Sequence, residues 1–122
     1  LIFAGVALGV DMFDCVLPTR SARHATLYTS SGKVHIKAAK YKRNREPLDD
    51  QCDCYTCRHF SRGYLQHLYA RGEVAGMVLG SLHNIRFLTA MMEKIRVSIR
   101  ENRFDAYRKA FFDRYHSQIG LG

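Results

Sequence analysis

Three of the four cysteines in this 122-residue chain lie within six residues, at Cys52, Cys54 and Cys57. Thiolates at this spacing either bind a metal ion or pair in disulfides. The apolar N-terminal segment stops at Asp11 and has no leading basic residues, so it resembles neither a signal peptide nor a membrane span. We therefore expect a cytoplasmic, reducing environment, where zinc is favoured over disulfides. The spacing predicts three ligands of a structural zinc site.

A structural zinc ion needs a fourth ligand. The candidates are Cys15, His59, His67 and His83. Cys15 lies in an apolar run and is expected to be buried, while His59 follows the cluster too closely for an unstrained chelate. His67 would lie about 9 Å along the following helix. If the helices on either side of Gly72 form an antiparallel hairpin, His83 returns to the cysteine end. We therefore expect His83 as the ligand, and expect metal removal to unfold residues 49–83.

An acidic residue inside an apolar run is the second candidate for chemistry. Asp14 lies in residues 12–17, a run that predicts a strand buried on both faces of a parallel sheet. Residues 1–9 predict the end of a helix with Gly9 after its C-terminus, so the two segments form half of a β/α repeat. A buried carboxylate is costly unless it is hydrogen-bonded or used. Asp14 is therefore either a catalytic group at a strand end or a residue that ties down loop 18–20.

Positive charge is concentrated in one part of the chain. The formal net charge is +8 and the isoelectric point is about 9.6. Between Thr19 and Arg45 no acidic residue opposes the basic ones, which are Arg20, Arg23, Lys33, Lys37, Lys40, Lys42, Arg43 and Arg45. A charge run can be merely a solvated surface, but this density in one segment favours nucleic acid as a partner.

The hydrophobic pattern predicts one hairpin and three helices that surround the cysteines. Residues 26–29 and 33–37 alternate as two strands joined by 30–32, with the basic side chains on one face and Val34 and Ile36 on the other. Helices are expected from Ser61 to Gly72, from near Glu73 to before residue 101, and from 104 to 115. The apolar stripe of the second helix is expected to be core: Val74, Met77, Val78, Leu82, Ile85, Leu88, Met92 and Ile95.

Five segments follow one another in an order and spacing typical of one enzyme family. They are 9–20 (GVDMFDCVLPTR), 47–49 (PLD), 52–57 (CDCYTC), 61–65 (SRGYL) and 83–85 (HNI). Through them the chain resembles the bacterial tRNA-guanine transglycosylases, also called queuine tRNA-ribosyltransferases. The resemblance covers essentially the whole chain and is specific to the C-terminal third of those enzymes.

The resemblance implies an α/β fold, namely the C-terminal fragment of a (β/α)8 barrel with a zinc-binding subdomain and C-terminal helices. Residues 1–23 would form a late barrel unit with the catalytic strand and loop. Residues 24–122 would hold the basic hairpin, the zinc subdomain and the helices. Since the chain begins at Leu1 and not at methionine, we expect a piece of a longer protein.

The resemblance also implies an activity and its site residues. Asp14 would be the nucleophile that attacks ribose C1′ of the guanosine at the anticodon wobble position of a tRNA with a GUN anticodon, and a 7-deazaguanine base would then displace the enzyme. Arg20 and Arg23 would contact the anticodon loop. The zinc ligands would be Cys52, Cys54, Cys57 and His83. The family's second catalytic Asp and its base pocket have no counterpart here, so we expect the fragment alone to be inactive.

Two other functions stay open at this point. The chain could be a zinc-stabilised module or subunit that holds tRNA without chemistry. It could also have a structural role in which its helices form a dimer interface, since the family commonly forms homodimers.

Overall fold

The computed structural model of the chain describes residues 2–9 and 17–117. Its helices are α1 (Ile2–Ala7), α2 (Leu17–Arg23), α3 (Tyr55–His59), α4 (Arg62–Ala70), α5 (Val74–Arg100) and α6 (Phe104–Ser117), with a 3₁₀ turn at Ala39–Tyr41. Strands β1 (Thr26–Thr29) and β2 (Gly32–His35) form an antiparallel pair. This part of the chain is thus a helix-rich α/β structure. Among the helices of residues 2–9 and 17–117, none combines the length and the hydropathy that a membrane span requires.

The predicted hairpin is confirmed, with β2 shorter than expected. Its register pairs Tyr28 with Lys33 and Thr29 with Gly32. Gly32 has a φ of 129°, a backbone conformation that residues other than glycine rarely adopt. Val34 and Ile36 are buried, whereas the basic side chains between and beside them are exposed. The basic face of the hairpin therefore points away from the core.

Helices α4 and α5 form the antiparallel hairpin that the sequence predicts. Ser61 caps α4, because its hydroxyl accepts a hydrogen bond from the Tyr64 amide at 3.1 Å. Gly72 separates the two helices with a φ of 71°. At Gly76 the helices approach so closely that a Cβ atom would lie 3.1 Å from Cβ of Leu68. This close packing fixes the position of α5 along the axis of α4, and with it which residues of the two helices lie side by side.

The prediction that residues 18–20 form a loop is wrong. Pro18 lies in the first turn of α2, where proline's missing amide leaves no helical hydrogen bond unmade. Residues 12–16 of the predicted strand lie outside the described residues, while Leu17 begins the helix. Helix α2 packs against α5. The arginines on α2 are therefore carried by a helix and not by a flexible connection.

Two apolar clusters hold the described elements together. The larger one lies between the hairpin, α4 and the cysteine segment, with Leu27, Leu48 and Leu65 fully buried. In the smaller one, Phe3 of α1 packs against α6, with ring centroids 5.0 Å from Phe111. Leu8, which follows the last residue of α1, is exposed.

The expected core stripe of α5 is only partly buried. Ile95 is buried, and Met77, Leu88 and Met92 pack against the clusters. Four members are exposed instead: Val74, Val78, Leu82 and Ile85, with 65, 52, 46 and 45% of their surface accessible. The prediction is wrong for these four. α5 turns its glycines and its polar His83 and Asn84 towards the hairpin and α4, which leaves this stripe on the opposite side.

Candidate metal centre and basic face

The structure brings Cys52, Cys54, Cys57 and His83 together in one cluster. Their potential ligand atoms all lie within 4.8 Å of one another, and only Cys52 is not fully buried. Nδ1 of His83 lies 3.4 Å from Sγ of Cys54 and 3.2 Å from Sγ of Cys57. Ligand atoms around a tetrahedral zinc ion are separated by roughly 3.5–3.8 Å, given zinc–ligand distances of about 2.0–2.3 Å. The donor set and its spacing fit a zinc ion.

A backbone carbonyl sets the orientation of His83. Nε2 lies within hydrogen-bonding distance of the carbonyl oxygen of Tyr28 on β1. Because a carbonyl only accepts, Nε2 must carry a proton, which leaves Nδ1 as the ring nitrogen that faces the thiols. The strand behind the imidazole thus holds it in an orientation that suits a metal ligand.

Helix α3 presents two of the thiols. Cys54 is its N-cap residue, and its Sγ accepts a hydrogen bond from the Cys57 amide at 3.3 Å. One turn of helix then places Cys57 beside Cys54. Thr56 fixes α3 to α5, because its hydroxyl donates to the carbonyl of Leu79 at 2.7 Å.

The pKa values of the cluster indicate which of its groups carry protons that a metal ion would displace. Hydrogen bonds from Cys52 and then Cys57 lower the pKa of the Cys54 thiol far below its usual value. Hydrogen bonding with Cys52 and Cys54, together with burial, raises the pKa of Cys57. Burial lowers the pKa of His83, but hydrogen bonds to Cys52, Cys54 and the Tyr28 carbonyl outweigh it and raise the pKa to about 9. Metal binding would release these protons.

Two further contacts hold the loop that carries Cys52. The buried carboxylate of Asp49 accepts hydrogen bonds from the amide and hydroxyl of Ser30 at 2.8 and 2.9 Å, and from the Gln51 amide at 3.0 Å. On the outside, Arg86 pairs with Asp53 at 2.8 Å, one turn after His83. The first contact ties the cysteine loop to the hairpin, and the second ties it to α5.

The other candidate ligands are elsewhere. His59 is exposed and its ring lies against Tyr55, with centroids 4.5 Å apart. His67 is exposed on α4. Cys15 and Asp14 lie outside the described residues, so the role of Asp14 stays a prediction.

The predicted RNA-binding arginines lie on an exposed basic surface. Arg20 and Arg23 belong to the last turns of α2 and are exposed. Neither forms an ion pair with any residue in the described part of the chain. Further exposed basic residues follow on β2 and after it: Lys33, Lys37, Lys40, Lys42, Arg43 and Arg45. Such a surface can attract a polyanion.

Sequence reasoning gives no role to several residues that build the site. Asn84 is fully buried beside His83, and Thr56 is fully buried between two cysteines. One feature of the sequence could have pointed to both residues: each is polar and lies either on the inward face of a helix or between predicted ligands. A polar group buried there without a hydrogen-bond partner would destabilise the fold, so a partner is expected.

The sequence of the chain matches those of known proteins. A sequence model described as Queuine tRNA-ribosyltransferase matches residues 1–117. The chain belongs to the queuine tRNA-ribosyltransferase family.

Relatives named queuine tRNA-ribosyltransferase cover nearly the whole chain. The one from Dictyoglomus turgidum is 50% identical over 114 residues, which is 93% of this chain and 29% of the relative. Those from Solidesulfovibrio magneticus and Aquifex aeolicus are 56 and 48% identical, over 88 and 97% of the chain and 29 and 31% of the relatives. The chain thus spans about 30% of the length of these queuine tRNA-ribosyltransferases, at their C-terminal part.

Proposed function

We propose that the protein containing this chain is a tRNA-guanine transglycosylase that exchanges guanine at the anticodon wobble position for a 7-deazaguanine base. The observation that carries the proposal is the family match over residues 1–117, which includes the Phe-Asp-Cys-Val segment with Asp14. The exposed arginines of α2 and the basic face of the hairpin support an RNA substrate. Because the substrate is a tRNA, the proposal includes a cytoplasmic location.

The proposed reaction has two displacements at one carbon. The carboxylate of Asp14 attacks ribose C1′, the bond from C1′ to guanine breaks, and the departing guanine takes up a proton. The ring nitrogen of the incoming 7-deazaguanine then attacks C1′ and loses its proton, and the bond from C1′ to the Asp14 oxygen breaks. A carboxylate held in a dry site is a competent nucleophile at such an oxocarbenium-like carbon.

The nucleophile is tested by Asp14→Asn in the full-length protein. We expect loss of both guanine exchange and the covalent protein–tRNA adduct on a denaturing gel, because an amide cannot replace the carboxylate as nucleophile. Asp50→Asn is the matched control, since Asp50 is exposed. An adduct that survives in Asp14→Asn removes Asp14 from this role.

We further propose that the metal is Zn²⁺, bound by Cys52, Cys54, Cys57 and His83. When bound, zinc supplies a structural cross-link between the cysteine segment and α5. The full-length protein should contain about one zinc per chain by elemental analysis. His83→Ala should lose it, whereas His67→Ala, with an exposed histidine on α4, should keep it. Full zinc content in His83→Ala would contradict this ligand assignment.

A non-catalytic tRNA-binding module is the alternative, and the exposed basic face favours it. Adduct formation separates the two functions, because a binding module forms none. The 122 residues alone are proposed to lack exchange activity, since the family's second catalytic Asp and base pocket have no counterpart in them. Guanine exchange by the isolated chain would contradict that.

We also propose an architecture and an assembly for the full-length protein. Residues 1–23 are proposed to form a late unit of a (β/α)8 barrel, and residues 24–122 the zinc subdomain with its helices. A homodimer is proposed as well, supported by the exposed apolar side chains of α5 at Val74, Val78 and Leu82. Leu82→Asp should shift the full-length protein towards monomer in sedimentation experiments. An unchanged mass would remove this stripe from the interface.

A further inference from the structure

Two neighbouring side chains of α5 hold one residue of β1. His83 and Asn84 are both fully buried. The Tyr28 amide donates to Oδ1 of Asn84 at 3.0 Å, and the Tyr28 carbonyl accepts from Nε2 of His83. Tyr28 pairs with Lys33 at a position next to the turn, where both backbone groups point away from the partner strand. The open edge of β1 is therefore closed by α5.

Asn84 also reaches the helix that carries the predicted RNA-binding arginines. Its Nδ2 donates to the carbonyl of Pro18 in the first turn of α2 at 3.0 Å, and to the carbonyl of Thr26 at 3.1 Å. With the bond from the Tyr28 amide, both donors and the acceptor of this amide side chain are used. One buried side chain thus joins α5, the start of α2 and β1.

Tyr28 makes a second connection to the same helix. Its hydroxyl lies 2.6 Å from Oγ of Ser21, which is the residue directly after Arg20. A path of direct contacts thus leads from Cys54 and Cys57 through His83 and Tyr28 to the middle of α2. The path runs from the proposed metal centre to the proposed RNA surface.

We propose that Asn84 and Tyr28 are positioning residues for tRNA binding, which tie the arginine helix α2 to the metal-binding helix α5. The proposal rests on the proposed function. Arg20 and Arg23 are exposed and reach the RNA themselves, while Asn84 and Tyr28 are buried and act through them. Accurate placement matters because a guanidinium group bonds phosphates and base edges only in a narrow range of geometry. Completion of the metal centre fixes His83, and thereby the same strand that holds α2.

The test uses four variants of the full-length protein and an anticodon stem-loop RNA whose anticodon begins with G. Tyr28→Phe and Ser21→Ala remove only the hydroxyl contact to α2, so both should fold. Asn84→Ala removes the hydrogen bonds of Asn84 to α2 and β1. Ser98→Ala is the matched control, because it removes a buried hydrogen bond of 2.7 Å within α5 that leads neither to the cysteine cluster nor to α2.

The dissociation constant is measured as a function of salt, at temperatures where each variant is folded and retains its zinc. Removal of one well-placed charged hydrogen bond weakens binding roughly tenfold. A protein that binds one phosphate fewer on single-stranded RNA has a salt slope smaller by about 0.7. We expect both effects in Asn84→Ala and smaller ones in Tyr28→Phe and Ser21→Ala. Ser98→Ala should leave both the dissociation constant and the slope unchanged.

A double-mutant cycle separates positioning from general stability. In a background of Arg20→Ala with Arg23→Ala, the further change Tyr28→Phe or Asn84→Ala should leave RNA affinity unchanged, because the positioned groups are gone. If the effects add in full, the positioning role is overturned. If Asn84→Ala does not fold, the cycle with Tyr28→Phe decides alone, and an unchanged affinity and slope there also overturns the proposal. If the double arginine variant itself binds RNA normally, the proposed RNA surface fails instead.

Discussion

Removal of the metal is expected to open α3 selectively. This helix has five residues, too few to be stable by itself. It is held by Cys54 and Cys57 in the metal cluster and by the hydrogen bond from Thr56 to Leu79. Helix α4, in contrast, contributes Leu65 and Tyr69 to the larger apolar cluster. We therefore expect a smaller opened region than the 49–83 suggested by the sequence, centred on the cysteine loop and α3.

The expected loss of amide protection in α3 can be worked out from the contacts that remain after the metal is removed. A buried neutral hydrogen bond contributes about 1 kcal/mol, which corresponds to roughly fivefold protection from amide exchange. Zinc binding in small structural sites is worth about 10–16 kcal/mol, so α3 should be as protected as its surroundings when zinc is bound. The amides that report on α3 are those of Cys57, Arg58 and Phe60, which bond to Cys54 or Thr56. Their protection should fall to within about tenfold of an unfolded chain.

Hydrogen exchange measured by mass spectrometry, before and after chelation, checks this in the full-length protein. Elemental analysis of the same samples confirms that zinc has left. Peptides from the C-terminal half of α5 serve as the internal control, since Met91 and Ile95 pack with Phe3 in the second apolar cluster. If chelated protein keeps the protection of Arg58 and Phe60, core packing and not the metal holds α3, and the reasoning is refuted.

Burial and hydrogen bonding also determine what other substitutions should cost. Leu65→Ala should cost about 2–5 kcal/mol in urea unfolding because Leu65 is fully buried, whereas Ile99→Ala, at a residue with 52% of its surface accessible, should cost below about 1 kcal/mol; equal costs at the two positions would contradict the burial of Leu65. Asp49→Asn should cost about 1–3 kcal/mol in thermal unfolding, since the NH2 group that replaces one carboxylate oxygen cannot accept from the backbone amide of Ser30 or of Gln51; unchanged stability would contradict the role of this carboxylate. Burial raises the pKa of Tyr69 to about 12 from 10.0, so its contribution is complete below pH 10 and is lost as the pH rises through 12; the stability gap to Tyr69→Phe should shrink over that range, and a constant gap would contradict the shift.

The elements that local pattern controls can be predicted from the sequence. The bounds of α4 and α5 agree with the expected ones to within a few residues, because Ser61 and Gly72 are strong capping signals and the apolar period is long. The symmetry of that helical hairpin alone predicts His83 near the cysteines. The structure brings the four residues together as the geometric argument requires.

Contacts between distant segments cannot be predicted in the same way. Asn84 bonds to residues 56 and 66 positions away in the sequence. No local period reports such a partner, and an asparagine in a helix is by itself more typical of a solvated face. Helix α2 cannot be predicted from the sequence either, because its conformation also depends on a contact with a distant segment. Pro18 is compatible with the end of a strand and equally with a first helical turn, and the packing of α2 on α5 decides between them.

Helix α5 shows why periodicity alone cannot select the buried face. Apolar side chains occupy both of its sides, so either stripe satisfies the pattern. Gly76 and Gly80 decide: a Cβ atom at Gly76 would crowd Leu68, and one at Gly80 would lie 2.9 Å from Leu27. Only a face with these small residues lets α4 and β1 approach closely enough for His83 to reach both the thiols and the Tyr28 carbonyl. The glycines therefore determine where the cluster of three thiols and one imidazole lies, and Gly80→Ala should disturb this cluster more than a change at any exposed position of the opposite stripe.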